Sequence, residues 1–325
     1  MMQIALIGIG AGAAAALLFA SVTSGSLLSV LLFYLAPLPL MIAALGWSHW
    51  AALFGALFGA LAMAAIFGST FFFAFLASAG MPAWWLGYLA MLARPAAAGG
   101  NGAAPALEWY PPGRLVMWAA ILAALVVLVA ILSYGADVDS FRAAMHRDLA
   151  RLLQIETGEA ASKTGASGDN ASRLIDFLVT ALPPAAAVLA TITSVFNLWL
   201  AGRIVAFSGR LSRPWPQISA MSFPRPMLAA LGIAVVLSFL GGLPGVMAGV
   251  VTAGLAMAYG VLGFAVLHAL TRDMNGRGFL LGGVYAAVVV LGWPVLALCL
   301  LGVVEASIGL RARFAAGRGP PPIQS

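Results

Sequence analysis

The sequence predicts an all-α polytopic transmembrane helical bundle of eight or nine spans. Three observations carry that prediction. Of 325 residues, 63% are apolar and only 8% are charged, whereas a soluble domain carries about a quarter charged residues to cover its surface. The apolar residues fall into long runs near 2–20, 27–45, 50–68, 70–93, 115–134, 180–206, 227–242, 246–270 and 279–308, most of them close to the roughly 20 residues that cross a bilayer. The breaks between runs are short and hold most of the basic residues, as loops on one side of a membrane do.

The formal charge of +6 does not indicate a nucleic-acid partner. Its 16 basic residues, all but one of them arginine, are spread over several loops and form no continuous face. The lipid bilayer is the partner that composition requires. Cys299 is the only cysteine and sits in an apolar run, so there is no disulfide framework and no metal-binding spacing. Residues 2–20 end in small side chains like a secretory signal but lack a basic leading segment, and read as the first membrane helix.

The fourth run contains Gly80-Met81-Pro82, a place for a kink or a re-entrant break. With the N-terminus inside, the loops at 94–114, 203–226 and 272–277 share one side with Arg94, Arg114, Arg203, Arg210, Arg213, Arg225, Arg272 and Arg277. Nine crossings would then put Arg311, Arg313 and Arg318 on the other side. Either one run is miscounted, with the fourth and the short 227–242 run as suspects, or the charge rule is broken at the end. Trp109 and Tyr110, at the mouth of the fifth run, suit the headgroup level.

The segment 136–176 is the one sizeable polar stretch. Phe141, Met145, Leu149, Leu152 and Ile155 recur at three- and four-residue spacing, predicting an amphipathic helix over 139–155 lying on the membrane or the bundle end. Residues 157–172 read as a loop, and 311–325 as a basic, proline-rich disordered tail. The organisation is thus a six-span core over 1–208, three further spans over 209–310, and the tail.

Small residues recur every fourth position: Gly8, Gly12, Ala16 and Ala20 in the first run, Ala51, Gly55 and Gly59 in the third, Gly245, Gly249 and Ala253 in the eighth. Such faces let helix backbones approach closely, either within the bundle or against a partner subunit.

No phosphate-binding loop, nucleophile elbow or set of metal-spaced ligands is present, and His49, His146 and His268 are far apart. An enzyme is not expected, and no cofactor is implied. Polar groups at membrane depth are costly and so mark candidate sites. Asn197 is one; its amide suits either a neighbouring helix or an uncharged or zwitterionic ligand. Pro37 and Pro39 interrupt the second run after Tyr34, and broken helices also occur at transporter binding sites. Tyr34, Pro37 and Asn197 are therefore the candidate ligand-lining residues. Glu305, six residues before Arg311, reads as half of a structural ion pair, and His268 with Arg272 and Asp273 as a surface polar cluster.

Taken together, Tyr34 to Pro39, Glu108 to Arg114, Asn197-Leu198-Trp199-Leu200 with Arg203, and Gly263 to His268 followed by Gly302 to Arg311 resemble the YybS-like bacterial membrane proteins, catalogued as a domain of unknown function. That family is in turn distantly similar to the S components of energy-coupling-factor vitamin transporters. The resemblance implies a six-helix core over 1–208 that captures a small molecule in the cell inner membrane. It also implies docking to another membrane subunit through the small face of the first helix. The three spans beyond 208 depart from the S-component plan. A membrane scaffolding or assembly protein is the alternative.

Overall fold

The computed structural model describes residues 1–95, 107–135, 137–164 and 168–316, with side chains described except at 152–172 and 315–316. Of the tail expected to be disordered over 311–325, residues 311–316 are helical and 317–325 lie outside the described residues. The helices are α1 (Met2–Ala20), α2 (Leu27–Tyr34), α3 (Pro37–Gly46), α4 (His49–Phe67), α5 (Ser69–Phe75), α6 (Met81–Ala90) and α7 (Pro112–Tyr134). They continue with α8 (Val138–Thr164), α9 (Gly168–Phe207), α10 (Arg225–Ser238), α11 (Gly242–Leu270), α12 (Arg277–Leu291), α13 (Pro294–Ile308) and α14 (Leu310–Ala316). The architecture is an all-α membrane bundle. One small antiparallel ladder, β1 (Ala93–Pro95) with β2 (Leu107–Trp109), interrupts the all-helical pattern and pairs Arg94 with Glu108. Lipid cannot satisfy open strand edges, and this exposed ladder lies between the α6 and α7 crossings.

Local sequence sets the helix ends. Ser26 and Ser48 accept backbone N–H bonds at the starts of α2 and α4. Proline stands in the first turn of α3, α6, α7, α10 and α13, where its missing N–H costs nothing. Between α5 and α6 the chain makes a π turn at Leu76–Gly80, so 69–90 crosses once, neither broken nor re-entrant. The polar α8 runs on to Thr164, beyond the expected boundary at 155, because Glu159-Ala160-Ala161 favours helix over the loop suggested by nearby glycine and serine. Its Phe141 is buried against the bundle end, edge-on to Tyr134, and Met145 packs beside it. Leu152 and Ile155 lie outside the described side chains.

Among the described residues, seven stretches are long and apolar enough to cross a membrane: 2–24, 27–46, 49–67, 69–90, 112–134, 173–207 and 242–270. Ala187 shares a cluster with Leu243 and Val250, and Val195 shares one with Ala258 and Tyr259, so α9 and α11 run in the same direction. The 14-residue α10 makes the return between them. The 279–308 run is not one continuous helix. It breaks at Gly292 (φ +72°) and Trp293, and α13 then lies antiparallel along α11, with Leu298 on Gly263 and Gly302 on Tyr259. Arg311 thereby returns to the carbonyls of Ser219 and Met221, near Arg213 and Arg225. Arg311 therefore sits at the same bundle end as Arg213. The fourth run holds together as one candidate span, whereas the seventh and the last runs fold into helices of 14 to 15 residues, Arg225–Ser238, Arg277–Leu291 and Pro294–Ile308, each shorter than a full span.

The main core joins α1, α3, α4, α5, α6, α7 and α9 around Phe19, Leu40, Met41, Met63, Phe75 and Leu86. Two further clusters join α7 and α9 to α11, so these two helices carry one face to each side of position 209. The first helix packs through its small face. A Cβ on Gly8 would stand 2.6 Å from the Ala51 carbonyl, and one on Gly12 would collide with Gly55. The contacts advance together along both chains, so α1 and α4 are parallel. The expected stripe on α11, Gly245, Gly249 and Ala253, is not the one that packs on neighbouring helices: Gly245 meets only the turn before its own helix and nothing lies within 4 Å of a Cβ on Gly249, whereas Gly254, Gly260 and Gly263 meet α7 and α13.

These contacts predict an order of stabilities in detergent. Gly12→Leu should lower the melting temperature, since overpacking typically costs about 1–3 kcal/mol. Leu17→Ala should lower it less, because Leu17 is 74% exposed toward lipid. Gly249→Ala should be neutral or stabilising, by up to about 1 kcal/mol of helix propensity. Equal melting temperatures for Gly12→Leu and Leu17→Ala would contradict close packing at this face.

Candidate functional site

Tyr34 and Asn197 meet directly. Pro37 has no N–H, so the Phe33 carbonyl is bonded by Ala36 N instead (3.1 Å), and Leu38 N turns to Leu35 O (3.0 Å). The Tyr34 carbonyl is left facing α9, where Asn197 Nδ2 donates to it at 2.8 Å. The same Nδ2 donates to Thr193 O at 2.8 Å, which fixes the amide orientation because both partners are carbonyls. Asn197 is fully buried and its Oδ1 has no partner, a cost of about 1–3 kcal/mol. Pro37 thus acts through the hydrogen bond it omits, and Asn197 supplies the replacement. Thr191 and Thr193 bond back to the helix carbonyls of Ala187 and Leu189.

The small face of α1 is occupied in the same way. Gly8, Gly12 and Ala16 are buried within the bundle, and Ala20 packs at its margin. With α4 packed on them, Gly8 and Gly12 present no open face. The face that α1 leaves open carries Leu6, Ile9 and Leu17.

The arginine-rich end holds a recess of ≈ 280 Å³, lined by Trp109, Arg213, Trp215, Gln217 and Ser222 together with the first residues of α7. Arg213 is only 9% exposed. Its two terminal nitrogens donate to Ala90 O at the end of α6 and to Tyr110 O, each at 2.9 Å. The negative end of the α6 dipole offsets part of its charge, but among the described residues no carboxylate pairs with it. Burial pulls its guanidinium below the ordinary arginine value. Gly113 is required here, since any Cβ would collide with the Ser222 carbonyl. Arg203 lies over the Trp215 ring at 5.2 Å. Glu108, next to Trp109, is taken by Arg94 at 2.8 Å.

The floor of this recess is held by the C-terminal segment. Arg311 Nε donates to Glu305 Oε1 at 2.8 Å and its backbone N–H to Oε2 at 3.0 Å. Its terminal nitrogens donate to Ser219 O and Met221 O. Glu305 and Arg311 are therefore the expected structural pair, with a further task of positioning the 217–222 segment. A second recess of ≈ 230 Å³, at the opposite end, is lined by Arg142, His146, Asp176, Val179 and Thr180. His146 and Asp176 stand 3.9 Å apart there and both are well exposed. His268 bonds the Phe264 carbonyl and packs edge-on to Tyr285 of α12. No group of three or more His, Cys, Asp or Glu is placed to hold a metal among the described residues.

Arg213, Trp215, Gln217 and Ser222 were not legible as a site, because in sequence Arg213 is one of several loop arginines. The available signal was Arg213-Pro214-Trp215-Pro216, an arginine held in a stiff aromatic segment.

Two outcomes test the geometry. Asn197→Leu should destabilise the detergent-solubilised protein by on the order of 1 kcal/mol, as expected for an interhelical hydrogen bond in a membrane, whereas Tyr34→Phe should change nothing because Tyr34 contributes its main-chain carbonyl. Arg311→Leu should speed amide hydrogen exchange across 217–224 by on the order of ten-fold, through easier local opening. Unchanged exchange would deny the C-terminal segment its positioning task.

No curated protein and no solved structure gives a match. A family described as "Predicted membrane protein (DUF2232)" matches residues 13–305, nearly the whole chain. By that match the chain belongs to the DUF2232 family of predicted membrane proteins.

Proposed function

We propose that this protein is a non-enzymatic membrane subunit that binds a small molecule in the recess around Arg213, not at the Asn197 centre. One observation carries the reading: a buried guanidinium with no carboxylate partner among the described residues borders a polar-rimmed recess at the bundle end. Asn197 is less suitable, since its amide donates to Tyr34 and Thr193 and keeps only an acceptor. The six-helix core over 1–208 remains compatible with the S-component likeness. Any partner subunit would have to dock on a surface other than Gly8 and Gly12. No nucleotide-binding motif is present in the sequence, so any use of ATP belongs to a partner. The concentration of arginines at one end supports reading that end as cytoplasmic by the positive-inside rule, in a multi-pass protein that we place in the cell inner membrane.

The scaffolding reading draws on a different observation: the submerged amide and the small face of α1 are both consumed inside the bundle. Native mass spectrometry of protein purified in mild detergent separates the two. Binding predicts a stoichiometric small molecule that is lost in Arg213→Gln. Scaffolding predicts stoichiometric partner proteins and no small-molecule adduct.

A further inference from the structure

We propose that the Arg213 recess takes a phosphate-bearing anion, either the head group of a membrane lipid or a free phosphate ester. The inference rests on that recess being the binding place and adds the chemical class of its ligand. Three independent features converge on negative charge. The first is Arg213, a rigid fork already anchored by Ala90 O and Tyr110 O, so its position is fixed before any ligand arrives. A guanidinium matches phosphate oxygens in geometry as well as charge. The second is the start of α7. Pro112 and Gly113 line the recess, so the start of a 23-residue helix borders it. Pro112 has no N–H, and Arg114 and Leu115 donate to the Pro111 carbonyl, so the helix contributes its dipole and not a row of free N–H groups. The third is the lack of a competing anion among the described residues, because Glu108 is engaged by Arg94.

The rim suits a ligand at the membrane surface. Trp109 and Trp215 carry apolar faces with N–H groups, the pattern of headgroup-level anchors. Gln217 and Ser222 add uncharged polar groups suited to hydroxyls. Arg203, over Trp215, raises the local positive potential without entering the lining. An uncharged ligand would leave the Arg213 charge uncompensated, which is costly for a buried cation.

The test uses the full-length protein in a non-ionic maltoside detergent, with tryptophan fluorescence as readout. The probes are short-chain phosphatidylglycerol, glycerol phosphate and an uncharged short-chain diacylglycerol. Saturable binding of the first two but not the third is expected. Tighter binding of phosphatidylglycerol identifies a lipid head group, and equal binding identifies a free ester. Arg213→Gln should abolish binding. Because that variant also loses two structural hydrogen bonds, Gln217→Glu serves as the second: the position is exposed, and the added carboxylate should weaken either anion at least ten-fold while the melting temperature is kept. Equal binding of the diacylglycerol, with loss in Arg213→Gln, would overturn the phosphate assignment and leave the recess as the binding place. Anion binding unaffected by Gln217→Glu would overturn the recess itself.

Discussion

The close approach of helix backbones at Gly55 and Gly59 of α4 is the contact on which the rest of the core depends. Lipid tails are as apolar as leucine, so burial of apolar side chains gives these helices little reason to associate. Dispersion and shape must do so instead, and they reward backbones that come near. A Cβ on Gly55 would stand 2.6 Å from Gly8 O and 2.8 Å from Leu40 Cδ2, and one on Gly59 would stand 2.8 Å from the Phe75 ring. At these two positions α1, α3 and α5 all gather on α4. The same device recurs where α13 lies on α11, with Gly263 and Gly302 each meeting a backbone carbonyl of the other helix.

Scarce polar groups solve problems that this packing creates. The proline break in the second span exposes a carbonyl at membrane depth, where water cannot satisfy it. Asn197 reaches across from α9 to do so. The price is its own orphaned Oδ1, and the result is a fixed register between the second and sixth spans. At the surface, Arg213 performs the corresponding task for the end of α6 and for Tyr110, and Arg311 for the loop beside it. Three side chains, each bonded to main-chain carbonyls, thus hold the broken or irregular segments of the chain.

Arg213 differs from Arg311 in one respect that bears on function. Arg311 has Glu305 beside it, so its charge is met within the chain. Arg213 has only carbonyl partners among the described residues, and it lines a recess. A charge beside open space is what the proposed anion-binding place requires.

The sequence by itself determined the solvent, the helical class and most of the spans, because the run of about 20 apolar residues is a local property set by bilayer thickness. It also determined the break after Tyr34, since proline lacks an N–H in any context. It marked Glu305 and Arg311 as a pair from their spacing, and Asn197 and Tyr34 as residues of interest. Tertiary structure decided what those residues do. Asn197 is a clasp because its amide meets a carbonyl that lies 163 positions away, a distance no local pattern encodes. The last apolar run folds back at Gly292, where a left-handed backbone angle turns the chain onto α11, although composition alone reads as one crossing. Which glycine face of α11 is used, and which of many arginines is buried, depended on neighbours brought together only by folding.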